Sequence, residues 1–262
     1  AGAADLGAVR FESSGAPEAQ EPFQRGVAAL HSFFYDEAAD LFRQAQEADP
    51  DFALAYWGEA LTYDHPLWQQ HDRAAAQEAL ARLAPTREER AALAGTERER
   101  AYLDSVEILF ADEGDSASRH DAYRDRLRRI HERWPEDPDA AAFYALAIQG
   151  ADVDGDHVIP ARIESAAVLE ELHDDHPEHP GVLHYLIHAY DDPKCWQMKR
   201  QGQMIQRWCE LSDKVWIYNY NYTMLVNKGT ITPMVHRIRR NIPLLEDWGV
   251  IGFFDQDEAD WA

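Results

Sequence analysis

From residue 18 to residue 190, apolar positions recur at three- and four-residue intervals with good helix formers between them, the pattern of helices that bury one stripe. Two helices are predicted over residues 18–48, broken around Phe33, Phe34 and Tyr35. The second, from Asp36, puts Ala38, Leu41, Phe42 and Ala45 on one face and stops at Asp49–Pro50. The next runs from Phe52 to Tyr63 and ends before Asp64–His65–Pro66, where proline cannot continue it. Further helices are predicted over 73–83, 87–94, 97–110, 117–133, 138–149, 160–175 and 180–190, with short turns at Pro135, Pro138, Pro177 and Pro180. Strand patterns are nearly absent, so this part reads as an all-α array of helical hairpins. Beyond it the period changes. Residues 195–211 suit an amphipathic helix, Val215 to Tyr220 a buried strand, Pro233 to Trp248 a helix with proline in its first turn, and Val250 to Phe254 a second strand. Strand, helix and strand of these lengths predict a right-handed βαβ unit.

Composition breaks at the same place. All four Lys, all four Asn, all four Met and both Cys lie after Pro193, whereas Ala is concentrated before it. The formal net charge of −23 is likewise uneven: residues 1–193 hold 16 basic against 40 acidic side chains, residues 194–262 hold 9 against 8. A boundary alone does not exhaust four residue types, so two evolutionary sources joined near Pro193 are expected. The domains read as an N-terminal extension (1–17), a helical domain (18–193) and a βαβ fragment (194–262), a fusion or chimera. The acidity argues against nucleic acid as a partner, because such binding neutralises phosphates with Lys and Arg. No window approaches the ~18 apolar residues of a membrane span. An Ala-rich start would suit the end of a cleaved leader, so the compartment stays open between cytoplasm and export.

Gly26, Ala38, Phe42, Ala45 and Pro50 fall at the spacing of the tetratricopeptide repeat, whose small residues let paired helices approach and whose terminal proline turns the chain. The stretches Gly26 to Phe33, Ala55–Tyr56–Trp57–Gly58–Glu59–Ala60 and Leu183 to Pro193 resemble a bacterial subfamily of uncharacterised tetratricopeptide-repeat proteins, over residues ~7–193. The resemblance implies an α-solenoid with a concave groove. Trp208 to Tyr218, with Asn241 to Leu245 and Trp248 to Phe254, resembles part of a glycoside-hydrolase-like barrel domain. In such barrels polar residues just beyond the strand ends face the active site, which would place Tyr218, Tyr220, Asp255 and Asp257 there. Glycosidases need two opposed carboxylates and a closed barrel, and two strands supply neither, so no hydrolase activity is expected and no catalytic residue is assigned.

Eleven of the twelve histidines precede the join. His31 and His65 are one 34-residue repeat apart; Trp57, Leu61 and His65 follow at i, i+4 intervals, His184 and His188 sit in the phases of Trp57 and Leu61, and Tyr190 matches Tyr63, each 13 residues after a repeat-ending proline. In this repeat class the stripe lines the groove. The expected function is therefore non-enzymatic capture of a peptide or protein, a basic one given the acidity, by Trp57, Leu61, His65, His184, His188 and Tyr190. The alternative is transition-metal binding, Zn or Cu, by His184 and His188 with His31 or His65 as a third ligand, since imidazoles at i and i+4 project from one helix face. A fragment of a carbohydrate-active enzyme comes third, and no cofactor is required by the first reading. Asp152, Asp154 and Asp156 form an imperfect calcium-loop pattern and are expected to be an ordinary polar loop. His173, His176 and His179 are expected to be solvated on a turn. Cys195 and Cys209, 14 apart on one predicted helix, are too far apart for a disulfide within it.

Overall fold

Prolines and short polar caps set the helix ends. In the computed structural model, which describes residues 9–151, 158–190, 216–219 and 252–255, the order is α1 (Pro17–His31), α2 (Tyr35–Ala48), α3 (Ala53–Leu61), β1 (Asp64–His65), a 3-10 turn (Pro66–Trp68), β2 (Gln70–His71), α4 (Arg73–Leu83), α5 (Arg87–Leu93), α6 (Glu97–Leu109), α7 (Ser116–Arg133), α8 (Pro138–Ala151), α9 (Val158–Asp175), α10 (Pro180–Tyr190), β3 (Trp216–Asn219) and β4 (Gly252–Asp255). The Asp72 side chain accepts the Ala75 N–H ahead of α4, Thr86 and Glu89 form a reciprocal capping box at α5, and Asp115 accepts the Ser118 N–H at α7. At α8, Asp137 Oδ1 accepts the N–H groups of Asp139 and Ala140, Pro138 follows at the first helical position, and Asp139 adds its charge to the positive end of the helix.

Among the described residues the chain is mainly α, ten helices with one small antiparallel hairpin and one parallel strand pair, and neither a solenoid nor a barrel is shown. It divides into two compact units, residues 1–192 and 193–262. In the first, successive helices pack as neighbours from α1 to α4 and again from α6 to α10; α3 also packs on α6, and α10 returns to touch α1 and α8. Phe42 of α2 sits against Gly26 and Gly58, where an added Cβ would come within 2.9 and 2.4 Å of its ring, so the small residues set how closely α1 and α3 approach α2. The core continues through an aromatic cluster: Phe11 lies 5.4 Å from Trp57 and 4.9 Å from Tyr102, and Trp57 lies 5.5 Å from Phe143. Glu59, fully buried on α3, is held by Arg43, Arg82 and Gln46 and so ties α2 and α4 to α3.

Two details differ from expectation. Helix α3 stops at Leu61, and the chain then forms the β1–β2 hairpin, with Asp64 opposite His71 and His65 opposite Gln70. Gln69 takes a left-handed conformation (φ 54°) to close the turn, and its side-chain amide donates to the Pro66 and Gly150 carbonyls. Two-residue strands carry no periodicity, which is why the pattern of apolar positions does not announce them. In the second unit, β3 pairs with β4 in parallel, Trp216 opposite Gly252 and Asn219 opposite Asp255, so Tyr218 and Asp255 lie on these strands. The helices expected over 195–211 and 233–248, the crossover hand, Tyr220, Asp257, Cys195, Cys209 and the Asp152–Asp156 loop lie outside the described residues. No described helix is long and apolar enough to cross a membrane.

Candidate metal centre

The hairpin places Asp64 and His71 as direct cross-strand partners, and helix α7 brings His120 to them. His71 Nδ1 and His120 Nε2 both meet Asp64 Oδ1, the latter at 3.2 Å, and the two imidazole rings are 4.3 Å apart. The other nitrogen of His120, Nδ1, lies 2.7 Å from the Ser116 carbonyl oxygen and must donate to it. With Nδ1 committed, Nε2 faces the carboxylate either as a second N–H or as a lone pair across a bound cation. Burial opposes charge on Asp64, but hydrogen bonds from His120 and His71 outweigh it and hold the carboxyl below its usual range. Burial likewise opposes charge on His120, and the Asp64 carboxylate reverses this, raising its pKa. Tyr35 and Tyr123 flank the carboxylate, and burial together with its charge keeps both phenols protonated; the Tyr35 hydroxyl is buried and has no hydrogen-bond partner.

This group lies between two spaces. On one side a cleft of about 600 Å3 is lined by Tyr35, Asp36, Asp40, Tyr63, His65 and His71. On the other a cavity of about 30 Å3, lined by Asp64, His120 and Tyr123 among mostly apolar side chains, has room for about one water.

A second group of the same composition lies deeper. His31 ends α1, Asp139 starts α8 and His179 precedes α10. His31 Nε2 and His179 Nε2 meet Asp139 Oδ1 at 2.9 and 3.2 Å. His31 Nδ1 is 2.9 Å from the Tyr185 hydroxyl, and its ring stacks on Phe143 at 4.4 Å. Burial pushes the His31 pKa down to about 4, so the ring is neutral. Burial would raise the Asp139 pKa, but hydrogen bonds from His179 and His31 hold it well below the usual range. In each group three ligand-type atoms lie within 4.8 Å of one another, and either triad could hold a metal ion. A tetrahedral ion with bonds of about 2.0–2.1 Å has ligand-to-ligand edges of ~3.3 Å, close to the 3.2 Å from His120 to Asp64 and from His179 to Asp139, whereas the His71–Asp64 contact is shorter than such an edge.

The histidines singled out from the sequence separate. His31 enters the deep triad with Asp139 and His179, not with His65, His184 or His188. His65 stacks on Tyr35 at 3.8 Å, and its Nε2 donates to the Thr62 carbonyl. His184 donates from Nδ1 to the His31 carbonyl at 2.7 Å and meets His188 Nε2 to Nε2 at 3.2 Å, a pair without a third ligand in either triad. Trp57, Leu61 and Tyr190 are core side chains at 0, 6 and 4% exposure, so they present little or no surface to a groove. His179, expected to be solvated, is buried at 4%, because the turn carrying it is packed against α8 and α1. Asp64, His71, His120 and Asp139 were missed. The available signal was an acidic residue and a histidine bracketing a Pro-led turn at 64–71, and the Asp137–Pro138–Asp139 helix start. Comparison with protein families, with curated proteins and with solved structures finds no match for this chain, so the reading of its site rests on its own geometry.

Proposed function

We propose that this is a transition-metal-binding protein whose exchangeable centre is Asp64, His71 and His120, with a ligand or water reaching the ion from the cleft. The supporting observation is His120, whose Nδ1 is committed to the Ser116 carbonyl while Nε2 faces a carboxylate oxygen. When protonated, the ring donates its Nε2–H to Asp64; when neutral in that tautomer it has only a lone pair to offer, and a cation between the two groups would make two bonds of that contact. Two imidazoles and a carboxylate suit Zn or another borderline divalent ion and leave coordination positions open, the arrangement of sites in which the metal acts as a Lewis acid. The Ser116 carbonyl supplies the outer partner that metal-bound imidazoles usually have.

Titration of the purified full chain with Co(II) tests this reading. A visible band of four- or five-coordinate Co(II), displaced by Zn(II) and absent from His71→Ala and His120→Ala, is expected. A wild-type chain that binds neither ion would mean that a proton bridges His120 and Asp64.

Capture of a basic peptide on a tetratricopeptide-type helical scaffold is the second reading. It is favoured by the exposed Asp36 and Asp40 at the edge of the 600 Å3 cleft and by the close packing at Gly26 and Gly58. In that case the cleft, rather than a stripe through Trp57 and Leu61, would take the ligand.

A further inference from the structure

We infer that His31, Asp139 and His179 form a second, closed divalent-metal site, independent of the cleft and serving to staple α1, α8 and the start of α10. The proposal goes beyond the exchangeable centre and does not depend on it.

The Asp139 carboxylate is 0% exposed, and among the described residues no Arg or Lys is bonded to it. Arg98 is engaged by the neighbouring Asp137 at 2.6 Å, where the Tyr102 hydroxyl also donates. A buried carboxylate whose only donors are imidazoles leaves a negative charge in the interior, which proteins compensate with a counter-ion or a metal. If both imidazoles are neutral and donate their Nε2–H to Oδ1, then Asp139 Oδ2 is a buried acceptor with no partner. Buried oxygens without partners are rare, and an ion is one of the few things that accounts for them. A divalent cation held by both carboxylate oxygens and the two Nε2 atoms would give the orphan Oδ2 a partner and set a positive charge directly against the carboxylate, the four groups together carrying +1. His179 Nδ1 is also buried without a partner.

His31 Nδ1 is held by the Tyr185 hydroxyl, its ring lies on Phe143, and its backbone carbonyl accepts from His184 Nδ1. Gly181 leaves room for it, since a Cβ there would come 2.5 Å from His31 Nδ1. Outer-shell hydrogen bonds of this kind orient metal-ligating imidazoles. Closed sites with no solvent-facing position are the structural class rather than the catalytic one.

The test counts zinc in full-length protein expressed in zinc-supplemented medium and then exposed to a chelator in the folded state. Wild type, Asp139→Asn, His179→Gln and the double variant His71→Ala/His120→Ala are compared. Asp139→Asn and His179→Gln are each expected to lose one equivalent relative to wild type. The double variant is expected to keep one equivalent that resists the chelator when folded and is released in guanidinium. His179→Gln keeps an amide donor for Asp139 and carries the test if Asp139→Asn does not fold. An unchanged zinc count in both single variants, or a wild-type chain that holds no chelator-resistant zinc, overturns the inference. Zinc retained by the double variant and lost on Asp139→Asn supports this site even if the cleft centre fails its own titration.

Discussion

Two triads of identical composition, one Asp and two His each, sit in one helical unit and differ in how they are assembled. Asp64, His71 and His120 are two-thirds local: Asp64 and His71 are opposite each other on a hairpin, and only His120 is brought from a distance. Their side chains remain 5, 18 and 10% exposed and sit beside a cleft. His31, Asp139 and His179 come from three separate elements and are 0, 0 and 4% exposed. Burial makes the difference chemical. Beside the cleft, attraction to Asp64 wins and the His120 pKa rises, whereas in the interior desolvation wins and His31 is neutral down to a pH of about 4. One set of side chains is thus beside a cleft in one place and enclosed in the core in the other.

The largest expected effect tests the burial half of that comparison. Asp139→Ala removes the acceptor of two buried imidazoles and is expected to cost about 3–5 kcal/mol of stability. Asp64→Ala, at a site that water can reach, is expected to cost about 1–3 kcal/mol. Urea unfolding of both variants decides; equal costs would show that burial does not distinguish the triads.

A smaller effect separates the centres without touching a ligand. In Gly181→Ala the new Cβ would come 2.5 Å from His31 Nδ1, and in Gly150→Ala it would come 2.5 Å from Pro66 Cβ at the tip of the β1–β2 turn. Each overpacking is expected to cost about 1–3 kcal/mol. The first should weaken metal retention only at the deep triad, the second only at the hairpin triad. Loss at both sites in either variant would show that the two are mechanically coupled.

The smallest effect concerns acid. Burial, His184 and Arg162 lower the His188 pKa from the ordinary 6.5 to about 3. The unfolded chain therefore takes up this proton first, so stability is whole above about pH 6.5 and falls as the pH drops toward 3. His188→Gln is expected to flatten that part of a pH-stability curve. If it does not, the acid sensitivity must come from the other buried histidines held near 4, His184 and His31.

How far the sequence reaches is visible residue by residue. The helix over 36–48 begins one residue earlier, at Tyr35, and that over 73–83 has the expected ends, because caps and prolines act over three or four residues and can be read locally. The hairpin at 64–71 was legible only as an interruption, since two-residue strands have no period. Of the stripe through Trp57, Leu61 and His65, the first two lie on α3 and His65 falls beyond its end on β1, and the period of a helix does not say whether a face meets solvent or another helix. Trp57 went into the core against Phe11, Tyr102 and Phe143. His179 shows the converse: its neighbours Glu178 and His176 are exposed, and only the fold turns this one ring inward.

By itself, then, the chain determined its mainly helical character, most helix limits, the break near residue 193 and the acidity of the first part, because each of these depends on neighbouring residues or on sums over many. Which histidines meet which carboxylates was decided by tertiary structure alone. His31, Asp139 and His179 are separated by 108 and 40 residues along the chain, and no local energy links them until α1, α8 and α10 pack together.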